Sequence, residues 1–546
     1  MMYLNRRPSF RAFWLTAFAA GAAGWLGGAA VLPAAASILD ATGTTLLRQV
    51  TTNLDGSGIA VAQAEASAST NFPTFEVNPA WVGQPAALFT YYSTNGTSTN
   101  FADAVGAESD HANGVGMNFY GKSGGIAPNV ARVDNYEADF FINNTIITAT
   151  PPPIPAGLVN QSFIFDSTDL NNQESADAYY DAYAAQYGTL FVSAVGNGGQ
   201  VYPPGTCYNG IGVGDCDGGT SVGPTRDNGR SKPDLVTFGQ ATSFSTPFVS
   251  GAAAVLMQAG RRGDGGSDPN AAADARTVKA LLLNGATKPT NWTHTATAPL
   301  DPLFGAGLLN VFNSYMQLAG GQQANFVAGS VPAGGAHPPL AATNTIAAWS
   351  GWNLAALTNA LGGIPPATQD RLNYYYFELT NTSANAGFTL TATLVWNRDP
   401  LVLQPATPNL NNLDLFLYDV ATSNLIACST SLVDNVEHLY VNGLPPGRYN
   451  LQVRKSAAAG QNVTSRETYA LAWEFFALPL TITPTLTNAT LSWPIYPAGF
   501  TLEATPDLAA PIWSPVNVAP AVSNGLNHVT VDTTTNAAQF FRLRRP

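Results

Sequence analysis

The chain has 546 residues, a length that predicts two to four domains. Hydrophobic residues make up 45% of it and charged residues 11%, with 51 Gly and 38 Pro. This balance favours a folded, loop-rich, β-containing exported protein and argues against a disordered chain. The formal net charge of −12 argues against nucleic acid or an anionic membrane surface as a partner.

Residues 1–36 have the pattern of a secretory signal peptide. Three arginines precede an apolar, Ala/Gly-rich stretch over 13–32, and AAA at 34–36 offers a small-residue cleavage site before Ser37. The stretch is nearly long enough for an uncleaved membrane anchor, but its glycine content and the cleavage site favour removal. We therefore expect a secreted or cell-surface protein that is not inserted in a membrane once the signal is removed.

Two polar residues stand out in the first part of the chain. The run IAVAQA, at 59–64, predicts a buried strand of a parallel sheet, and Glu65 follows at the end where open α/β sheets place their sites. His111 begins a small-residue stretch, HANGVGM, that predicts a closely packed helix. Each residue also has a plainer interpretation, Glu65 as a solvated carboxylate and His111 as a helix-capping residue.

Two further residues follow later. The segment GTLFVSAVGNGG, from residue 188, predicts a buried strand that ends in the Gly-flanked Asn197. The segment ATSFSTPFVSG, at 241–251, predicts a helix that begins with a Thr-Ser pair. Ser243 would lie where backbone N–H groups are unpaired and would stabilise a developing negative charge. Taken alone, Asn197 is an ordinary turn residue and Ser243 belongs to a helix cap.

The order of these residues favours a catalytic interpretation. The five histidines are at positions 111, 294, 337, 438 and 528, so only His111 precedes Ser243. If Ser243 is a nucleophile with an upstream base, His111 is the one candidate for that base. An acid, a histidine, an asparagine and a serine in this order are what one class of protease requires.

Residues 37–320 resemble a subtilisin-like serine protease domain. GSGIAVAQAEA resembles the acid motif of that family, HANGVGM resembles HGTHVAG, SAVGNGG resembles AAGNxG, and ATSFSTPFVSG resembles GTSMAxPxVAG. The resemblance implies an α/β domain, with a parallel sheet flanked by helices. It also implies a serine endopeptidase that hydrolyses the peptide bonds of a protein or peptide substrate through an acyl-enzyme.

The same resemblance assigns roles to the four residues. Ser243 is the nucleophile, His111 is the general base and then the general acid, and Glu65 orients His111. The side chain of Asn197 and the backbone N–H of Ser243 form the oxyanion hole. This chemistry requires no cofactor.

Two departures from the family pattern lead to a second hypothesis. Glu65 stands where the family has Asp, and an uncompensated shift of about 1 Å in a carboxylate can cost roughly a hundredfold in rate. Asp55 and Asp110 are alternative acids, although Asp55 precedes the strand and Asp110 adjoins His111 in sequence. Ala241 replaces the glycine before the Thr-Ser pair. The alternative hypothesis is a catalytically inactive subtilase fold that serves as a binding or surface protein.

The remaining motifs predict little further chemistry around the site. The odd number of cysteines, at 207, 216 and 428, indicates no disulfide framework, and neither CxxC nor HExxH occurs. Only residues 37–55 separate the signal from the first sheet strand, which predicts no N-terminal folding propeptide.

The downstream half predicts two β domains after a connecting segment. Residues 321–372 are rich in Gly, Pro and Ala and predict a linker with little core of its own. Residues 373–476 show alternating strands and resemble the β-jelly-roll domain that follows some subtilase domains. Residues 477–546 predict a small β-sandwich module.

Three acids of the jelly-roll region are candidate calcium ligands. Relatives of this domain often bind calcium, and Asp414, Asp434 and Glu437 offer oxygen ligands. Ordinary turn and edge-strand acids are an equally good interpretation of these residues. Structural calcium and the oligomeric state are left open.

Overall fold

A computed structural model describes residues 37–67, 72–148, 150–165, 169–324, 326–359, 368–380, 387–399, 410–485, 487–508, 510–534 and 539–544. The predicted signal peptide at 1–36 lies outside the described residues. The described chain forms two compact units. The first comprises the residues up to Ser221 together with Thr237–Val255, and the second comprises Val222–Val236 and the residues from Leu256 onward.

The first unit is built on a largely parallel sheet. The strands of this unit are β1 (Ala60–Glu65), β2 (Thr74–Glu76), β3 (Phe89–Ser93), β4 (Gly96–Ser98), β5 (Ala107–Glu108), β6 (Arg132–Glu137), β7 (Leu158–Gln161), β8 (Leu190–Ala194) and β9 (Ile211–Asp215). The order β9-β8-β7-β1-β6-β3 is parallel throughout, and β4 pairs antiparallel with β3. A second, two-stranded parallel sheet joins β2 and β5.

Helices flank this sheet, as predicted. They are α1 (Ile38–Ala41), α2 (Thr44–Val50), α3 (Asp110–Tyr120), α4 (Ala138–Phe141) and α5 (Leu170–Tyr187), with a 3₁₀ turn at Ala86–Leu88 and a π turn at Ile142–Ile146. The strand β10 (Leu235–Thr237) and the helix α6 (Thr242–Arg262) each run across a boundary between the units.

Alternation along β1 separates a packing face from a polar face. Ala62 and Ala64 belong to one hydrophobic cluster with Tyr180 and Tyr183 of α5. Because successive side chains of a strand point to opposite faces, Gln63 and Glu65 lie on the other face. The sequence IAVAQAE therefore places its two polar residues on the same side of the sheet.

The second unit begins with short helices and continues into a two-sheet sandwich. The helices are α7 (Pro269–Ala272), α8 (Ala275–Gly285) and α9 (Val311–Ala319). The strands are β11 (Val327–Pro332), β12 (Ser350–Thr358), β13 (Gln369–Leu379), β14 (Phe388–Trp396), β15 (Leu413–Asp419), β16 (Leu425–Ser429), β17 (Val436–Leu444), β18 (Gly447–Lys455) and β19 (Arg466–Phe476). They form antiparallel sheets in the orders β11-β13-β18-β15-β16 and β12-β19-β14-β17, whose inner faces share one hydrophobic core.

The predicted connecting segment, residues 321–372, is corrected by this arrangement. It contributes β11, β12 and the start of β13, and β12 pairs with β19 over nine residues. Trp352 of β12 is 1% exposed. The Gly/Pro-rich flanks concealed these strands because they dominate the local composition. The jelly-roll connectivity of the sandwich stays a prediction.

The C-terminal region consists of two further sheets. Its strands are β20 (Thr481–Pro484), β21 (Asn488–Pro494), β22 (Thr501–Thr505), β23 (Ser514–Pro515), β24 (Ala521–Ser523), β25 (Leu526–Asp532) and β26 (Phe540–Arg544). The sheets have the orders β20-β21-β25-β24 and β23-β22-β26. Leu491, Trp493, Leu502 and Val529 form their common core. A small core of this kind is what the predicted β-sandwich module requires.

The three candidate calcium ligands have other partners. Asp414 accepts a hydrogen bond from Arg454 Nε at 2.8 Å, and the adjacent guanidinium would repel a cation. Asp434 accepts from the backbone N–H of Ser231 at 2.7 Å, and Glu437 accepts from that of Ser431 at 2.7 Å. All three carboxylates thus have protein partners, and no group of three His, Cys, Asp or Glu within the described ranges could hold a metal. Calcium binding stays a prediction.

Two other features bear on the sequence expectations. All three cysteines are free thiols. Among the described residues, no helix has both the length and the apolar character needed to cross a membrane.

Candidate active site

The strands of the first unit bring the predicted site residues to one edge of the sheet. Glu65 is the last residue of β1, and Ser162 directly follows β7. Asn197 lies in the turn after β8. Parallel strands place their carboxyl ends at a common edge, where the sites of open α/β sheets lie.

Side-chain hydrogen bonds hold the beginning of α3, which carries His111 as its second residue. Ser109 caps the helix, because its Oγ accepts a hydrogen bond from the backbone N–H of Ala112 at 3.2 Å. Asn113 Nδ2 donates to Glu108 at 2.7 Å, and Asn113 Oδ1 accepts from a backbone N–H at 2.7 Å. The histidine therefore projects from a helix start that is tied down on both sides.

His111 is paired with Glu65. Its Nδ1 lies 2.8 Å from Oε2 of Glu65, whose side chain is 1% exposed, whereas the side chain of His111 is 41% exposed. Burial by itself lowers the pKa of His111, but the charge and the hydrogen bond of Glu65 outweigh burial and raise that pKa above its ordinary value. With Nδ1 held by Glu65, Nε2 is the ring nitrogen left for proton transfer.

Ser243 is the second residue of α6. Its carbonyl accepts a hydrogen bond from the hydroxyl of Ser162 at 2.8 Å, which ties the start of α6 to the end of β7. Within the described residues, the hydroxyl of Ser243 has no hydrogen-bond partner, and it does not bond to His111. Hydrogen bonds of catalytic groups are often long without substrate and tighten in the substrate complex. The structure thus places Glu65 and His111 in contact and leaves the serine hydroxyl open.

Phe244 links the helix that carries Ser243 to the helix that carries His111. Its ring centroid lies 5.3 Å from that of His111, and its carbonyl accepts a hydrogen bond from Asn118 Nδ2 at 3.0 Å. A Cβ on Gly114 would lie 2.7 Å from the Phe244 ring, so a glycine is needed for this approach. The two helices are therefore packed closely near Ser243 and His111.

Asn197 is oriented as a hydrogen-bond donor. Its Oδ1 accepts from both the backbone N–H and the Oγ1 of Thr242, each at 2.8 Å. A backbone N–H only donates, so the amide oxygen must face Thr242 and the Nδ2 group must point elsewhere. The Nδ2 of Asn197 and the N–H of Ser243 have no acceptor among the described residues. Both donors are available to a developing oxyanion.

The two alternative acids do not contact His111. Asp55 lies before β1 and accepts hydrogen bonds from Asn129 Nδ2 at 2.5 Å and from Ser57. Asp110 is exposed in the first turn of α3. Of the three candidate acids, Glu65 is the one that hydrogen-bonds the histidine.

Sequence reasoning missed the residues that support the site. Gln63 Nε2 donates to Oε1 of Glu65 at 2.9 Å, and Ser245 Oγ donates to Asp215 at 2.6 Å. A single polar residue inside an apolar strand run is a signal that could have found Gln63, because buried polar groups need partners. Asn118 and Asp215 carry no such signal, since their partners lie 126 and 30 residues away.

Comparison with known proteins identifies the class of the first domain. Residues 99–307 match the model of the subtilase family. That range contains His111, Asn197 and Ser243, whereas Glu65 lies before it. The chain thus carries a subtilase-family domain, built on a parallel sheet flanked by helices and followed by antiparallel β sheets. This match supports a serine peptidase as the class of the matched region.

Solved structures give weaker likenesses. The crystal structure of tripeptidyl peptidase 2 is 13% identical, covers 73% of this chain and has a TM-score of 0.30, and the chain spans 47% of its length. The enzymatically active domain of bacteriophage CBA120 tailspike protein 4 is 9% identical, with coverages of 28% and 20% and a TM-score of 0.15.

A GH2 β-galacturonidase from Eisenbergiella tayi bound to galacturonate is 10% identical, with coverages of 41% and 42% and a TM-score of 0.14. All these TM-scores are below 0.5, so none of these likenesses bears on the fold or the activity. A search of curated proteins finds no match.

Proposed function

We propose that the protein is a serine endopeptidase that hydrolyses peptide bonds through an acyl-enzyme on Ser243. The observation that carries the proposal is the hydrogen bond of 2.8 Å between the buried Glu65 and the accessible His111. A neutral hydroxyl is a weak nucleophile, and it needs a base held in one tautomer by a carboxylate on its other nitrogen. The subtilase-family match over 99–307 supports the same reaction class.

Acylation would proceed in two steps in the proposed site. His111 Nε2 takes the proton of Ser243 while Oγ bonds to the substrate carbonyl carbon, which leaves an oxyanion on the former carbonyl oxygen. Collapse of this intermediate breaks the C–N bond, and the proton on Nε2 passes to the leaving amine. A water molecule then repeats the sequence on the acyl-enzyme, with His111 again as base, and releases the acid and the free serine.

The donors at the oxyanion supply the electrostatic stabilisation. Asn197 Nδ2 and the N–H of Ser243 lie beside the helix start, where the dipole of α6 adds positive potential. Thr242 holds the amide of Asn197 by two hydrogen bonds, so the donor is oriented before the substrate arrives. Such preorganisation avoids reorganisation during the reaction.

A fluorophosphonate probe tests this proposal. We expect the folded protein to be labelled on Ser243 and the Ser243→Ala variant not to be labelled. His111→Gln should slow labelling strongly, because the base is lost. Absence of labelling in the folded protein would contradict the proposal and favour the inactive subtilase-fold binding protein. Cleavage of a quenched peptide blocked at both ends separates an endopeptidase from an exopeptidase.

Export is part of the same proposal. The arginines, apolar stretch and small-residue site of residues 1–36 support secretion or cell-surface display after signal removal. N-terminal sequencing of the exported protein tests it, with Ser37 as the expected first residue. A mature chain that starts well after Ser37 would contradict this cleavage site.

A further inference from the structure

Gln63 is a fully buried polar residue on the strand that carries the acid. It precedes Glu65 by two residues on β1, so both side chains lie on the same face of the sheet. Gln63 and Tyr120 are 0% exposed and Glu65 is 1% exposed. Tyr120 is the last residue of α3, the helix that begins beside His111.

These three side chains form one continuous hydrogen-bond network. Gln63 Nε2 donates to Oε1 of Glu65 at 2.9 Å and to the carbonyl of Ala112 at 3.0 Å. The hydroxyl of Tyr120 donates to Oε1 of Gln63 at 2.6 Å. Because a backbone carbonyl only accepts, the amide has one possible orientation, with its nitrogen toward Glu65 and its oxygen toward Tyr120.

Each oxygen of the acid has its own partner. Oε2 of Glu65 faces His111 Nδ1 at 2.8 Å, and Oε1 is held by Gln63. A glutamate has one more rotatable bond than the aspartate expected at this position, so its carboxylate needs an additional constraint to keep one geometry. Burial raises the pKa of Tyr120 well above its ordinary value, so its hydroxyl remains a donor at all working pH values.

We propose that Gln63 and Tyr120 are positioning residues that hold Glu65 against His111 and so allow a glutamate to serve as the orienting acid. The inference rests on the proposed peptidase function. Neither residue touches the substrate, and both act through Glu65. The link from Gln63 to Ala112 also ties β1 to α3, which is why a test must separate positioning from simple structural support.

The test compares Tyr120→Phe and Gln63→Met with a matched control, Tyr183→Phe. Tyr183 is also a buried tyrosine of the first unit, but it packs on the face of the sheet opposite to Glu65, and its hydroxyl donates to the carbonyl of Pro152 at 2.8 Å. We expect both network variants to lower kcat on a peptide substrate by about 10- to 100-fold, with KM nearly unchanged. Tyr183→Phe should lower the melting temperature similarly and leave kcat unchanged.

Two further readouts distinguish positioning from stability. Loss of the network should loosen the contact of Glu65 with His111, so the acid limb of the kcat/KM profile should move to lower pH. Gln63→Met should also have a smaller effect on kcat in a Glu65→Asp background, because the shorter acid no longer reaches the amide.

The outcomes separate this inference from the proposed function. If the unmodified protein is not labelled by a fluorophosphonate, the proposed function fails. If it is labelled, but Tyr120→Phe and Gln63→Met match Tyr183→Phe in kcat and in pH profile, the positioning role alone is overturned. Tyr120→Phe removes a single oxygen atom, so its kcat and pH profile can still decide the question if Gln63→Met does not fold.

Discussion

Two histidines, one in each unit, have opposite surroundings. His111 has a carboxylate on Nδ1 and a side chain that is 41% exposed. His438, on β17 of the sandwich, is 0% exposed, and its Nδ1 lies 2.8 Å from the hydroxyl of Thr393. Its Nε2 has no hydrogen-bond partner in the described part of the chain.

The electrostatic surroundings of the two rings act in opposite directions. The pKa of His111 is raised, because Glu65 outweighs burial. The pKa of His438 is lowered well below its ordinary value by burial and by the nearby Lys288 and His294. A general base needs a carboxylate partner and an Nε2 that substrate can reach, and the fully buried His438 has neither.

Replacing each histidine by glutamine should give the largest contrast. His111→Gln removes the base, and we expect kcat to fall by at least about 10⁴-fold with the fold intact. His438→Gln should leave kcat unchanged and lower the free energy of unfolding by about 1–3 kcal/mol, because a buried hydrogen-bonded group is replaced. Peptide hydrolysis and urea unfolding measure the two effects. Equal losses of activity in both variants would contradict the assignment of His111 as the base and of His438 as a structural residue.

Removal of the proposed oxyanion donor Asn197 should give the next largest fall in kcat. Asn197→Ala removes the Nδ2 donor, and we expect kcat to fall by roughly 10²- to 10³-fold with little change in KM, since the oxyanion exists only in the transition state. Steady-state kinetics on a peptide substrate measures it. A rise in KM at constant kcat would instead show that Asn197 binds the ground state.

Shortening the acid tests how the site is adapted to glutamate. We expect Glu65→Asp to lower kcat by about 10- to 100-fold, because the carboxylate withdraws from Gln63 and from His111 by about 1 Å. Kinetics on the same peptide checks this result. A variant more active than the unmodified protein would show that the glutamate is poorly placed.

Glu76 predicts a pH-dependent stability. Its side chain is 0% exposed, and it lies close to the carboxyl group of Asp103. Burial and the charge of Asp103 raise its pKa from 4.5 to about 8. The folded protein therefore holds a proton that the unfolded chain has lost between these values, and stability falls as the pH rises from about 4.5 to about 8.

Glu76→Gln should remove this dependence. Between pH 4 and pH 9 the unmodified protein should lose about 5 kcal/mol of stability that the variant keeps, because the variant has no carboxylate to ionise. Urea unfolding at the two pH values measures this loss. The same difference between the two proteins at both values would exclude Glu76 as the titrating group.

The titrations of the two histidines should change the free energy of unfolding in opposite directions as the pH rises. We expect these changes to be smaller than that caused by Glu76. The ionised His111–Glu65 pair stabilises the fold below pH about 6.5, and this contribution is lost as the pH rises through the raised pKa of His111. His438 has a lowered pKa, so the unfolded chain gains a proton first and stability falls as the pH drops below about 6.5. NMR of the ring protons follows each titration, and a midpoint for His438 above that of His111 would contradict the account.

The positions of the candidate catalytic residues on their strands and helices could be predicted from the sequence, whereas the residues that hydrogen-bond to them could not. Small-residue and apolar runs placed Glu65 at the end of β1, His111 at the start of α3 and Ser243 at the start of α6, because these patterns are local. The network of Gln63 and Tyr120 joins residues 57 positions apart, and no local pattern predicts that pairing.

The sandwich shows the same limit. The alternating runs from 373 onward predicted its main strands, whereas β12 was missed because SGWNLAALT lacks clear alternation. Its strand geometry depends on pairing with β19, which lies more than 100 residues away in sequence. Long-range pairing of this kind is visible only in three dimensions.

The sharpest test of the proposed site is the rate at which a fluorophosphonate labels Ser243, measured against pH. The account predicts labelling at Ser243 whose rate rises with pH, with a midpoint above about 6.5, because only the neutral form of His111 accepts the proton and Glu65 raises its pKa. The rise should disappear in His111→Gln. No labelling of the folded protein, or labelling without this dependence on His111, would contradict the assignment of Glu65, His111 and Ser243 as one catalytic site.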